Sequence, residues 1–402
     1  MPIASAIREV QSKSSWIRKM FEEGAALKKI HGPLNVFDFS IGNPDVEPPK
    51  AFHDALVRLS AEDARGSHGY MANAGFPEVR EALARKASKE QNVRIDGSRI
   101  VMCVGAAGGL NVVLKSITNP GDEILVARPF FVEYGSYISN HGGRMVLVDS
   151  KRDFDLDIAA LEAALTEKTA AVIINSPHNP TGRVYPASTI AALADALRRH
   201  GKKTGRWPYL IADEPYREIV YGSSSVPPIL SAYEESIVVT SYSKSLSLPG
   251  ERIGYIAVGP EVKDSGELLG ALAYATRVLG YVNAPALMQR IVAEITDARV
   301  DVGIYQRRRD AFKRVLDAAG IEYAEPEGAF YLFCKVPKPK SENESAGAKD
   351  DIAFVMKLKE QLILAVPGSG FGAPNWFRLA YCIDEKIISA SGAAFQAAVA
   401  AW

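Results

Sequence analysis

The sequence predicts an α/β protein, with a three-layer α/β/α large domain built on a mostly parallel sheet and a smaller α+β domain beside it. Three observations predict it. Between about residues 100 and 260, seven short apolar runs recur, separated by helical periodicity or polar turns. Several are apolar at every position, the pattern of strands covered on both faces rather than one. The chain has 402 residues, more than one core usually serves, and its texture changes after about residue 318.

In chain order the runs are RIVMCV (99–104), EILVA (123–127), MVLV (145–148), AAVII (170–174), YLIA (209–212), IVVT (237–240) and YIAV (255–258). Helical patterns fill gaps at Gly109–Ile117 and Ala187–His200, and a long helical region spans about 262–318. Strands are then expected at 329–335 and 362–366. A polar loop from Pro337 to Asp350 separates them, and a last helix lies near 384–400. The expected division is 1–48 as an N-terminal arm and part of the small domain, 49–290 as the large domain, and 291–402 as the C-terminal small domain.

Lys plus Arg and Asp plus Glu both number 47, so no charge excess draws a nucleic acid, and a small-molecule substrate is expected. Cys103, Cys334 and Cys382 are too few and scattered for a disulfide framework or a zinc cluster, and are read as reduced, mostly buried thiols with no metal site. Arg8, Lys13, Arg18, Glu22 and Glu23 interrupt the first thirty residues, which leaves no signal-peptide core. No stretch approaches the roughly eighteen apolar residues of a membrane span, so a cytoplasmic protein with no membrane partner is expected.

Ligands of open α/β sheets sit beyond the carboxyl ends of the strands, so the residues after each run carry the chemistry. The first run enters Gly105, Ala106, Ala107, Gly108 and Gly109, a small-residue turn into a helix. It can present free N–H groups to a phosphate, or be only a tight turn. The run at 170–174 leads into NSPHNPTG, where prolines and Gly182 stiffen a loop holding Asn175, His178 and Asn179. Strand 209–212 ends at Asp213, Glu214, Pro215 and Tyr216. A carboxylate there needs a cationic partner, unless it serves as a metal ligand or helix cap. Strand 237–240 ends at Ser241, Tyr242, Ser243 and Lys244, with Arg252 close behind. Desolvation and neighbouring positive charge both favour a free, nucleophilic amine in such a place.

Taken together, FSIGNPD, HGYMANAGFPEVREAL, GAAGG, RPFFVEY, NSPHNPTG, ADEPY, SYSKSLSLPGERIGY, EPEGAFYLF, VPGSGFG and NWFRLAY resemble the fold-type I aminotransferases of class I/II, the aspartate/aromatic aminotransferase-like enzymes. The order matches over nearly the whole chain. The resemblance implies pyridoxal 5′-phosphate held by Lys244 as a Schiff base, and a ping-pong exchange of an amino group between an L-amino acid and a 2-oxo acid. By the same resemblance, Lys244 also shuttles the α-proton, and Asp213 keeps the cofactor's ring nitrogen protonated. Asn179 and Tyr216 bond the ring's 3′ oxygen, and Phe131, rather than Phe130, stacks on the ring. Gly105, Ala106, Ala107, Ser241, Ser243, Arg252 and Tyr70 hold the phosphate. Arg378 clamps the substrate α-carboxylate with Gly42 and Asn179. In the family the tyrosine at Tyr70 comes from the partner subunit, which implies a homodimer with shared active sites.

Two departures stand out. Ala107 occupies a position where some dicarboxylate-preferring relatives have lysine, and Glu251 one where many relatives have tryptophan. Side-chain preference stays open among aspartate, aromatic, alanine-like and branched substrates. A carbon–sulfur β-lyase on the same fold would use the same residues. His178 is read as lining its loop, and Trp16 and Trp376 as core packing. A nicotinamide dehydrogenase is disfavoured because no G-x-G-x-x-G turn follows a strand.

Overall fold

The computed structural model describes residues 3–4, 7–8, 16–62, 65–339 and 350–402. Among the described residues thirteen strands follow in chain order. They are β1 (Phe37–Asp38), β2 (Ile100–Cys103), β3 (Glu123–Arg128), β4 (Arg144–Asp149), β5 (Thr169–Asn175), β6 (Tyr209–Asp213) and β7 (Ser236–Ser241), then β8 (Gly254–Val258), β9 (Tyr323–Ala324), β10 (Tyr331–Lys335), β11 (Ile363–Leu364), β12 (Val366–Pro367) and β13 (Trp376–Ala380). Each of the seven apolar runs became a strand of one seven-stranded sheet, ordered β2-β8-β7-β6-β5-β3-β4. β8 is antiparallel to both neighbours, and the other strands run one way. Their carboxyl ends therefore share one edge, and the chemistry-bearing turns gather there.

The continuous apolarity of the runs has a direct packing cause. Val172, Ile174, Leu210, Ala212 and Val238 face one core cluster, while Ala171, Ile173, Ile211, Ile237 and Val239 face another on the opposite side. Alternate residues of a strand point to opposite faces, so a sheet with helices on both needs apolar side chains at every position. The helices Gly105–Ile117 and Ala187–Thr204 cover different faces, Val112 and Val113 packing in one cluster and Leu193 and Leu197 in the other.

β12, β13, β10 and β9 form a second, antiparallel sheet with its own core around Phe312, Leu332, Phe354 and Phe377. β1 pairs with β11, and the Ala380 N–H donates to the Phe39 carbonyl at 2.8 Å. The N-terminal segment is thus stitched to this sheet. Between Ala284 and Leu316, core residues up to Ile295 pack on the large sheet and those from Val300 on the second, whose core Val36, Phe39, Tyr216, Ile219 and Tyr221 also join from earlier in the chain.

Three boundaries differ from the sequence reading. The 262–318 region is three helices, Ser265–Val278, Ala286–Glu294 and Val302–Ala319, interrupted around Gly280 and Pro285 and again before Asp301. Gly280 sits at φ +85° and proline has no N–H to continue a helix, so the first break follows from composition, whereas at the second the new helix is capped by the Asp301 carboxylate, which accepts from the Gly303 N–H. The last helix is two, Glu385–Ala390 and Gly392–Ala401, meeting at Ser391. The stretch 362–366 is split between two sheets, because Ile363 pairs with Phe37 whereas Val366 pairs with Arg378. Of the expected Pro337–Asp350 loop, residues 340–349 lie outside the described residues.

Candidate active site

One cavity of ≈ 300 Å³ opens where the shared edge of the large sheet meets the second sheet. It is lined by Gly42, Ala106, Ala107, Phe131, Asn179, Asp213, Tyr216, Ser241, Ser243, Lys244, Arg252 and Arg378, together with Leu110, Asn175, Pro215, Pro249 and Tyr331. Of the residues expected at the site, Gly105 and Tyr70 are not among the lining. Gly105 starts the helix at φ +77°, and a Cβ on it would lie 2.8 Å from Arg252 Nη2, so glycine keeps that guanidinium against the helix start. Tyr70 is 93% exposed and is not brought to the cavity within one chain.

Asp213 ends β6 and is buried. Its Oδ2 accepts from the Tyr134 hydroxyl at 2.6 Å, whereas Oδ1 is buried without a partner. Burial pushes its carboxyl up to about 7, against the pull of the Tyr134 bond. A cation or donor entering the cavity beside Oδ1 would relieve that cost. Glu214 is the next residue and points elsewhere, bonded to Gln91 Nε2 at 3.0 Å and Arg217 Nη1 at 2.8 Å. Successive side chains of an extended segment diverge, which is why only the first acid of ADEPY faces the cavity.

Lys244 lies in the single turn Tyr242–Ser245 that follows β7. Its Nζ donates to the Gly42 carbonyl at 2.7 Å. Loss of hydration, reinforced by the charges of Arg378 and Arg252, pulls the amine down to about 8 although the Cys382 thiol opposes it. The Gly42 carbonyl is therefore engaged by the lysine in this state of the protein.

Arg378 is the central residue of β13, paired with Phe333 on one side and Val366 on the other. Its guanidinium is buried between the rings of Tyr331, 4.6 Å from the centroid, and Phe371, 5.0 Å. Nη1 donates to Asn179 Oδ1 at 3.1 Å and Nη2 to the Ser40 carbonyl at 2.8 Å, while Nε has no partner. No carboxylate is among its bonded partners. A buried guanidinium held by neutral groups is an attractive berth for an anionic ligand.

Asn179 is held by Asn175, whose Oδ1 accepts from the Asn179 N–H at 2.7 Å and whose Nδ2 donates to the Asp213 carbonyl at the same distance. The stiff loop and the acid's strand end are thereby tied together. His178 on that loop is buried, bonded to Thr181 Oγ1 at 2.8 Å and pushed down to about 4 by burial, so it is a neutral packing residue outside the cavity lining. Phe131 lines the cavity while Phe130 packs in the core. Trp376 stacks on Phe333 at 5.3 Å and lies outside the cavity lining, and the side chain of Trp16 lies outside the described residues. Glu251 is exposed. Cys103, Cys334 and Cys382 are free and buried.

Sequence reasoning named no role for Tyr331, Tyr134 or Leu110. Tyr331 and Tyr134 both lie inside quoted motifs, EPEGAFYLF and RPFFVEY, and a polar aromatic inside such a motif was the available signal. Among the described residues no group of three or more His, Cys, Asp or Glu is placed to hold a metal ion, and no helix is long and apolar enough to cross a membrane.

The fold and the cavity define a class: an α/β enzyme whose buried acid, amine and guanidinium converge beyond a parallel sheet. The orphaned Asp213 oxygen, the small-residue helix start and the lowered Lys244 amine together fit pyridoxal phosphate. Residues 35–390 match the family described as aminotransferase class I and II. The chain is 32% identical over 366 residues to a probable aspartate/prephenate aminotransferase of Aquifex aeolicus, covering 88% of each, and 30% identical over 369 residues to an aspartate aminotransferase of Bacillus subtilis, again 88% of each. Among solved structures, an amino transferase of Eubacterium rectale superposes with a TM-score of 0.94 at 38% identity over 100% of this chain and 99% of that one. An aspartate aminotransferase of Thermus thermophilus with maleate gives 0.84 at 28%, covering 99% and 100%. This chain belongs to the class I and II aminotransferases, and it is a pyridoxal-phosphate enzyme that transfers amino groups. The β-lyase alternative is not favoured.

Proposed function

We propose that the cavity exchanges an amino group between an L-amino acid and a 2-oxo acid with the cofactor joined to Lys244. One observation carries the reading: an amine of lowered proton affinity, a buried acid with a free oxygen and a buried guanidinium without a carboxylate partner line the same cavity. When bound, the cofactor supplies an electron sink for the charge released at the substrate's α-carbon.

The side chains do the remainder. Asp213 Oδ1 receives the N–H of the cofactor's ring while Tyr134 holds Oδ2 in place. Asn179 and Tyr216 bond the 3′ oxygen, and Phe131 covers one ring face. Gly105, Ala106 and Ala107 at the helix start, with Ser241, Ser243 and Arg252, hold the phosphate. Arg378 takes the α-carboxylate in a bidentate pair beside Gly42 and Asn179, which aims the Cα–H bond at Lys244 Nζ. Lys244, its amine set free once the substrate's amino group takes its place on the cofactor, would accept that proton from the α-carbon and give it up at the cofactor's C4′ carbon.

The test is a half-reaction. Amino acid added alone to the purified yellow protein is expected to bleach the cofactor band to that of the aminated cofactor without releasing ammonia. Stoichiometric ammonia with a keto acid would move the chain to lyase chemistry. Aspartate is the first donor to try because relatives carry its name, and the Ala107 departure makes aromatic and aliphatic donors the necessary comparison.

The amine sets a pH dependence for cofactor capture by the cofactor-free protein. Burial places Lys244 near 8, so raising the pH through that value frees the nucleophile, and each unit below it cuts the free fraction roughly tenfold. Stopped-flow absorbance is expected to show capture slowing accordingly between pH 8 and 6. A rate flat over that range would remove this amine from the rate-setting step.

The exposure of Tyr70 supports a homodimer in which it completes the neighbouring site's phosphate grip. Mixing an inactive Tyr70→Ala protein with an inactive Lys244→Ala protein is then expected to restore activity in the heterodimer, since half of its sites are intact. Verified heterodimers without activity would leave each chain with a self-contained site. A cytoplasmic location and the division at 48 and 290 belong to the same proposal, the change of core between Ile295 and Val300 supporting a boundary in that part of the chain.

A further inference from the structure

Tyr331 stands where three of these groups meet. It opens β10, is 3% exposed and lines the cavity. Its hydroxyl is 2.8 Å from the Tyr216 hydroxyl, and the Arg378 guanidinium lies over its ring at 4.6 Å. A Cβ on Gly42 would fall 2.1 Å from the same hydroxyl, so glycine at that position lets the phenol reach Tyr216. The Gly42 carbonyl in turn holds Lys244 Nζ.

We propose that Tyr331 is a positioning residue with two separable jobs: its ring braces the guanidinium that takes the substrate carboxylate, and its hydroxyl donates to Tyr216 so that the Tyr216 proton is aimed at the cofactor's 3′ oxygen. The inference rests on the roles proposed above for Tyr216 and Arg378. Each phenol has one proton to donate. If Tyr216 donates to Tyr331, nothing remains for the cofactor. If Tyr331 donates, the two bonds run in series toward an anionic oxygen and polarise one another, so the loaded site selects that direction.

The 2.8 Å contact is symmetric, so the demand of the loaded site sets its direction. Burial raises both phenols, and the Arg378 guanidinium over the Tyr331 ring draws Tyr331 back to about 12. The remaining titratable groups acting here are Cys382, Lys244 and Arg252, with Asp213 across the cavity. Burial pushes the Cys382 thiol up to about 12, so it stays neutral through the range tested.

The experiment uses full-length holoprotein and reads two quantities. One is the pH midpoint of the yellow band, which reports the proton on the Lys244–cofactor linkage. The other is the Kd of maleate and of 3-phenylpropionate, carboxylates without an amino group, of which the tighter binder is followed. Tyr331→Phe keeps the ring and removes the hydroxyl. It is expected to raise the midpoint by about half a unit or more, since a weakened donor no longer favours the deprotonated linkage, with Kd kept within about twofold. Tyr331→Leu removes the ring and is expected to weaken the carboxylate roughly tenfold as well.

An unchanged midpoint in the phenylalanine variant overturns the inference and leaves the proposed function standing. So does a midpoint and a Kd that move together in that variant, the signature of a merely structural role. A wild-type yellow band that survives Lys244→Ala overturns both, because the linkage would then lie elsewhere.

Discussion

Replacing Lys244 with alanine is expected to abolish the yellow absorbance of the purified protein and to cut amino transfer by at least the roughly 10²–10⁴-fold that a positioned proton carrier contributes. Two losses add. The covalent anchor goes, because among the described residues no other amine lines the cavity, the remaining cations there being Arg252 and Arg378. The proton carrier goes as well, since in the proposed arrangement Asp213 and Tyr216 are committed to the cofactor's ring, with Tyr134 and Tyr331 holding them there. Absorbance of the variant mixed with cofactor and single-turnover kinetics separate the two effects. An undiminished band would locate the linkage on a different lysine. A lost band with turnover intact would detach Lys244 from the chemistry. Folding is not expected to suffer, because the buried amine spends its bonding on one carbonyl, that of Gly42, and an alanine leaves the water of the cavity to serve that carbonyl.

Arg378→Leu is the second large effect. The guanidinium is buried, sandwiched by Tyr331 and Phe371, and bonded only to the neutral Asn179 and Ser40 oxygens. Truncating one member of a buried, hydrogen-bonded charge pair typically costs about 2–5 kcal/mol, so KM for the amino donor is expected to rise about 30-fold or more. The yellow band should survive, because the arginine does not hold the cofactor in the proposed arrangement. Unchanged KM would remove Arg378 from carboxylate recognition. A lysine substitution is not expected to rescue fully, since a point charge cannot reproduce the two-pronged fork. The leucine variant also relieves a buried charge, so its thermal stability is expected to hold or improve while its function falls.

Much of the fold was legible because its signals are local. A run such as AAVII is apolar at every position, and that suffices to place it inside a sheet covered on both sides. The break marked by Gly280 and Pro285 was equally local and that capped by Asp301 nearly so, yet the apolar periodicity around them joined three helices into one expected region. The split of 362–366 was not local at all. Two neighbouring dipeptides pair with Phe37 and Arg378, which sit at opposite ends of the chain.

The site divides along the same line. Strand ends and turns are written in a few adjacent residues, and parallel strands deliver their carboxyl ends to one edge, so Asp213, Asn179, Ser241 and Lys244 were readable one motif at a time. Partnerships were not. Tyr134 meets Asp213 across 79 positions, Tyr331 meets Tyr216 across 115, Arg378 meets Asn179 across 199, and Lys244 meets Gly42 across 202. Residue chemistry and local geometry were settled by neighbours along the chain. Which distant groups touch was settled only when two sheets packed against each other, because register and packing, rather than periodicity, choose the contacts between segments far apart in sequence.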